Sequence, residues 1–209
     1  TSDGEPPYRL LSLVPIAFAV SGFASLSYEL LWTRILVYFL GVQAHAYTIM
    51  LMTFLFGIAA GSIFFARISD KVRDNLYLFG IVEILIGLFS IAGLFTMGRL
   101  YSLSDYLRMS GLIKTWWHYA GGRFIIAAAF MFLPTFLIGG TFPIVSRIVV
   151  TNLQKVSGSV GKIYALNTIG GILGSVITGF FFLPLLGVRN SVLVVVSLNL
   201  VLGFLLVLG

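Results

Sequence analysis

Long apolar runs separated by short polar punctuation fill the 209-residue sequence. Stretches of about 18 or more mostly apolar residues recur, each long enough to cross a bilayer as a helix, too long for a signal-peptide core and too many for one anchor. Residues 1–9 are polar, and Pro6 and Pro7 block helix there, so they form a juxtamembrane lead. The first run, 10–40, is about 46 Å as a straight helix against a hydrocarbon core of about 30 Å, so it tilts or breaks, with Pro15 and Ser21-Gly22 as the expected weak points. The second, 44–66, closes on Arg67-Ile-Ser-Asp-Lys-Val-Arg-Asp, and the third covers 76–97. A polar connection at 99–118 sets Tyr101, Tyr106, Trp116 and Trp117 among Arg108 and Lys114, which suits a helix lying in the membrane interface. The fourth run, 119–142, is interrupted by Pro134 and by Gly139-Gly140-Thr141-Phe142-Pro143. The fifth, 160–183, ends at Pro184, and the sixth is 191–208. The pattern predicts an all-α polytopic transmembrane bundle of about six helices with one interfacial helix between helices three and four, as a single domain over 1–209.

Composition agrees with this reading. Hydrophobic residues make up 59% of the chain and charged residues 10%, far from the roughly 25% charged of a soluble domain. The net charge of +6 sits at the ends of the apolar runs, where it reads as headgroup contact and topology signal, and nucleic acid is not among the expected partners. Arg9, Arg67, Lys71, Arg73, Arg147, Lys155 and Lys162 fall on one side and Arg99, Arg108, Lys114, Arg123 and Arg189 on the other, seven against five, which favours both termini inside. With no cysteine, disulfides and thiolate metal sites are excluded. The chain starts at Thr1 without an initiator Met and stops directly after an apolar run, as expected of a processed or partial chain, with room for a soluble domain in its flanks.

Two acids interrupt the apolar runs: Glu29 in Ser-Tyr-Glu-Leu-Leu-Trp-Thr-Arg, and Glu83 in Gly-Ile-Val-Glu-Ile-Leu-Ile-Gly. An ionisable group inside a bilayer costs about 2.5–3.5 kcal/mol on insertion scales, so each requires a partner, a water-filled cavity or a function. With a turn at 41–43 the crossing part is 17–40 and Glu29 lies about 16 Å in, near mid-membrane; with a crossing that begins at Leu10 it approaches the far interface. Arg34 is five residues on and about 140° round the helix, so Glu29 needs an interhelical partner. Glu83 lies about 10 Å from its helix start, within reach of Arg67, Lys71 or the interface. Asn167 and Asn199 are further intramembrane polar positions, able to pair with each other or with either acid. Glu29, Glu83, Arg34 and Asn167 are thus the candidate cation-binding or intramembrane polar residues.

Gly57 and Gly61 form a GxxxG in the second run. Gly171, Ser175 and Gly179 continue a four-residue stripe in the fifth, with Gly170 and Gly174 alongside. Small residues let helix backbones approach closely in lipid, so these are packing positions. The broken fourth run frees backbone carbonyls, which either line a site or are filled by neighbouring helices. Gly158-Ser-Val-Gly-Lys162 fails as a phosphate loop, because Val156 and Ile163 stand where glycine and Ser or Thr are needed. No metalloprotease, nucleophile-elbow or dinucleotide motif occurs, and His45 and His118 read as interfacial. No cofactor and no metal is assigned.

Several of these segments resemble one family: Gly-Phe-Ala-Ser-Leu-Ser-Tyr-Glu-Leu-Leu-Trp-Thr-Arg at 22–34, Gly-Ile-Ala-Ala-Gly-Ser at 57–62, Gly-Gly-Thr-Phe-Pro at 139–143, and Gly-Lys-Ile-Tyr-Ala-Leu-Asn-Thr-Ile-Gly-Gly-Ile-Leu-Gly-Ser at 161–175. Together they are similar to the membrane domain of spermidine-synthase-like proteins, itself similar to half of a major facilitator transporter and often fused to a cytoplasmic aminopropyltransferase-like domain. No stretch here matches that family's Rossmann-like catalytic domain, so no catalytic residue carries over and the chain is not assigned as an enzyme. Ala66-Arg-Ile-Ser-Asp-Lys-Val-Arg also looks like the facilitator signature between helices two and three, with Ala66 in place of its leading glycine. The resemblance implies a non-catalytic module or subunit of a larger complex in a bacterial inner membrane, bound to other membrane subunits or to copies of itself. The alternatives are a half-transporter moving a cation such as a polyamine, with Glu29 as the coordinating acid, or the anchor of an aminopropyltransferase whose soluble domain lies outside this chain.

Overall fold

The computed structural model describes residues 8–40, 43–109, 116–152 and 159–208. They form α1 (Tyr8–Leu40), α2 (Gln43–Ser69), α3 (Asn75–Met109), α4 (Trp116–Asn152), α5 (Ser159–Ile177), a π-helical segment (Thr178–Phe182) and α6 (Leu183–Leu208). Five helical stretches are long and apolar enough to cross a membrane: Leu13–Tyr38, Met50–Ser69, Asn75–Thr96, Ala128–Val150 and Val160–Leu208. The described residues are thus helical throughout apart from the turn between α2 and α3, with the make-up of an integral membrane protein.

Proline shapes these helices less than the sequence suggests. α1 runs unbroken through Pro15 and Ser21-Gly22, and α4 runs through both Pro134 and Pro143 to Asn152, well past the expected end at Phe142. A proline removes one helical hydrogen bond and crowds the carbonyl four residues earlier, but neighbouring helices hold such a segment in place inside a membrane bundle. Here Gly139 and Gly140 bring that part of α4 directly against α2. Pro184 does not end its helix either. The Leu183 N–H reaches back to the Thr178 carbonyl, giving a wide turn just where Pro184 cannot donate, and the helical dihedrals fail only at Gly187 (φ 72°, ψ 171°). The expected interfacial helix is not a separate element among the described residues: Arg99 to Met109 simply extend α3, and 110–115 lie outside them. The side chains of Tyr101, Arg108, Lys114, Trp116, Trp117, His45 and His118 also lie outside what is described.

The turn between α2 and α3 is built locally. Asp74 caps α3 by accepting the Tyr77 N–H at 2.9 Å, and the Asn75 amide donates to the Ser69 carbonyl at 3.1 Å. Beside it, Arg147 of α4 pairs with Asp70 at 3.5 Å.

Three close helix pairs make the bundle: α1 with α5, α2 with α4, and α3 with α6, while α4 and α6 also pack on α3 and α1 respectively. Each pair meets at glycine. A side chain at Gly57 would collide with Thr135, at Gly61 with the Phe136 carbonyl, and at Gly139 with the Ile58 carbonyl. Gly170 and Gly174 meet the Ala19 and Phe23 carbonyls of α1, and Gly22 meets Asn167. Gly80 and Gly203 face each other across α3 and α6. Of the stripe at Gly171, Ser175 and Gly179, Gly171 touches the Leu26 side chain, while Gly179 has nothing nearer than Leu30 at 3.9 Å. The tight contact therefore runs along Gly170 and Gly174. Between the pairs lies a core that includes Phe18, Leu31, Trp32, Phe79, Met131, Ile144 and Val195.

Candidate functional site

The polar centre of the molecule lies where α1, α3 and α6 meet. Glu83 is on α3, two to three residues from the middle of the Asn75–Thr96 span, or about 4 Å along the axis. It is fully buried. The Asn199 amide of α6 donates to its Oε2 at 2.5 Å, and the Tyr28 hydroxyl of α1 donates to Asn199 Oδ1 at 3.1 Å. The Ser21 hydroxyl faces the Glu83 carboxyl, and the Ser90 hydroxyl faces that of Tyr28. Neither gap closes to hydrogen-bond distance, for Glu83 Oε1 and Ser90 Oγ are both buried without a partner. Five residues from three helices thus form one line, Ser90, Tyr28, Asn199, Glu83, Ser21, with Trp32 stacked on Tyr28 at a centroid distance of 5.2 Å.

Sequence spacing explains the line. Ser21 and Tyr28 are seven residues apart on α1, and so are Glu83 and Ser90 on α3, so each pair returns to the same helix face after two turns. A second polar contact lies on another side of α1. Thr178 donates to Ser27 Oγ at 2.9 Å, and the Ser27 hydrogen is shared between the carbonyls of Phe23 (2.7 Å) and Gly174 (3.2 Å).

Glu29 belongs to neither cluster. It sits three to four residues from the middle of the Leu13–Tyr38 span, about 5 Å along the axis, yet it is only half-buried. Its backbone carbonyl accepts the Thr33 hydroxyl at 2.7 Å, and no described residue donates to its carboxylate. Arg34 is exposed on a different side of α1. Asn167 is half-buried and packs on Gly22, so it joins α5 to α1 without reaching either acid. Of the four candidate polar residues, then, the structure ties Glu83 into a network, leaves Glu29 on the surface of the bundle, and brings none of the four together. Tyr28, Ser21 and Ser90 were not among the candidates; their seven-residue spacing was the available signal. No protein-family model, no curated protein and no solved structure matches this chain.

Proposed function

We propose that this chain is a non-catalytic integral membrane module, related to the membrane part of spermidine-synthase-like proteins and built like one half of a facilitator-type transporter, whose α1 flank is covered by a second membrane polypeptide. The observation that carries it is Glu29, half-exposed near mid-span with no described partner. Hydrocarbon is a costly neighbour for a carboxylate, so the group calls for a polar surface supplied from outside the described residues.

The helix pairing supports the facilitator comparison. Exchanging α1, α2 and α3 with α4, α5 and α6 turns the α1–α5 pair into α4–α2 and the α3–α6 pair into itself, as two three-helix repeats of opposite orientation would. Gly57-Ile-Ala-Ala-Gly61-Ser62 in α2 has its counterpart in Gly170-Gly-Ile-Leu-Gly174-Ser175 in α5. In this reading Gly187 is the turn between a fifth and a sixth crossing. A continuous rod over Val160–Leu208 would be about 74 Å long, more than twice the hydrocarbon thickness, and its two parts pack on different partners, α1 and α3. Six crossings put both termini on one side, the inner side by the Lys and Arg excess, in a bacterial inner membrane.

Site-specific photocrosslinking from Thr33, next to Glu29 on the helix surface, tests the module reading in native membranes. A crosslink to a second polypeptide, lost in Glu29→Gln, is expected; adducts to lipid alone would refute it. The same surface acid favours a second reading, a paired half-transporter that moves an organic cation with Glu29 as its counter-ion. Uptake of spermidine into proteoliposomes that Glu29→Gln leaves unchanged would dismiss that role.

A further inference from the structure

The buried acid at Glu83 presents a different chemistry from the surface acid. Among the described residues no basic side chain reaches it. The groups that face it are Ser21 and Tyr28 of α1 and Asn199 of α6, all uncharged, with Tyr28 the one other titratable group. A lone carboxylate removed from water costs several kcal/mol, and one amide donor does not offset that. One oxygen, Oε2, accepts the Asn199 amide, while the other, Oε1, has no donor. An oxygen with no donor is the one free to carry a hydrogen.

A second feature opens at the other end of the line. Ser90, buried and without a partner, lines a cavity with Trp32, Gly93, Phe130, Met131 and Pro134. Its free volume of ≈ 10 Å³ is about that needed for a single water.

We propose that Glu83 is a proton-binding site within the membrane, holding its proton on Oε1, the carboxyl oxygen that no donor reaches. Binding is the transfer of one proton from hydronium to the carboxylate, leaving water and a neutral carboxyl. The Tyr28 hydroxyl then donates to Asn199 Oδ1 and the Asn199 amide to Oε2 of a neutral acid. This holds whatever covers the α1 flank, since Glu83 and Ser90 both lie inside the bundle.

Infrared difference spectroscopy of the purified chain in nanodiscs, on transfer from H2O to D2O, reads the site directly. A protonated Glu83 contributes a carboxylic C=O band that shifts to lower frequency on deuteration, vanishes in Glu83→Gln and persists in Glu29→Gln. In Tyr28→Phe the band is kept but moves in frequency, because Asn199 loses its donor; this variant reports on the site even where Glu83→Gln fails to fold. A wild-type spectrum with no such band, or with one unchanged in both Glu83→Gln and Tyr28→Phe, overturns the proton site.

Discussion

The α2–α4 pair and the α1–α3–α6 junction hold helices together by different means. Between α2 and α4 the contact is glycine against backbone at Gly61 and Gly139 and glycine against a side chain at Gly57 and Gly140, rimmed by the rings of Phe56, Phe64, Phe65, Phe132 and Phe136. At the junction the contact is polar, a line of side chains with Glu83 at its centre. Lipid tails compete with any apolar side chain, so neither contact gains from expelling water. The first gains from close approach, and the second from avoiding unpaired polar atoms. A shape-based contact fails sharply when one atom is added; a polar one fails by degrees, according to which partner is left behind.

Gly61→Val should give the largest effect. Its Cβ runs into the Phe136 carbonyl, part of a helix backbone that cannot rotate aside, so a loss beyond the about 1–3 kcal/mol of ordinary overpacking is expected. Thermal unfolding in detergent measures it against Gly179→Ala, whose Cβ meets only Leu30 at the ordinary contact distance of 3.9 Å and should be near neutral. An equal response of both variants would remove close approach as the cause.

The polar junction is sharpened by a double-mutant cycle. Asn199→Leu strips Glu83 of its donor and Tyr28 of its acceptor at once, leaving buried groups unpaired at about 1–3 kcal/mol each. Adding Glu83→Leu should restore part of that loss, with a coupling of about 0.6–1.7 kcal/mol as found between polar side chains in membrane bundles. Additive losses would mean that the two residues act separately.

The smallest effect belongs to the ion pair at the membrane edge. Arg147 and Asp70 are 41% and 65% exposed, so Asp70→Asn should cost no more than about 1 kcal/mol, and less as salt is raised. A loss as large as that of Asn199→Leu would show this pair to be part of the core.

The sequence made some of this legible. The GxxxG of Gly57 and Gly61 lies in the tight α2–α4 contact, because four-residue spacing returns to one helix face wherever the helix is placed. The neighbouring stripes of α5 were both visible, but only the packed bundle tells Gly170 and Gly174, pressed on the α1 backbone, from Gly179, which makes only an ordinary contact with Leu30. Pro143 and Pro184 read as helix ends and are not, since the close contact of Gly139 and Gly140 with α2 holds α4 in place and a π turn precedes Pro184. The two acids look alike along the chain, each mid-run among Leu and Ile. Their depth was approachable by counting residues, but their surroundings were not.

What the sequence determined by itself is a helical chain of membrane-spanning character, the positions where its backbones can touch, and two acids that need an explanation. These follow from local quantities: run length, residue size and spacing along one helix. The tertiary structure decided that Glu83 faces inward onto Asn199 while Glu29 faces outward. That choice rests on the rotation of each helix about its axis, and spans apolar on nearly every side carry no polar stripe to set it. Packing of glycine on backbone and the pairing of Tyr28, Asn199 and Glu83 set it instead.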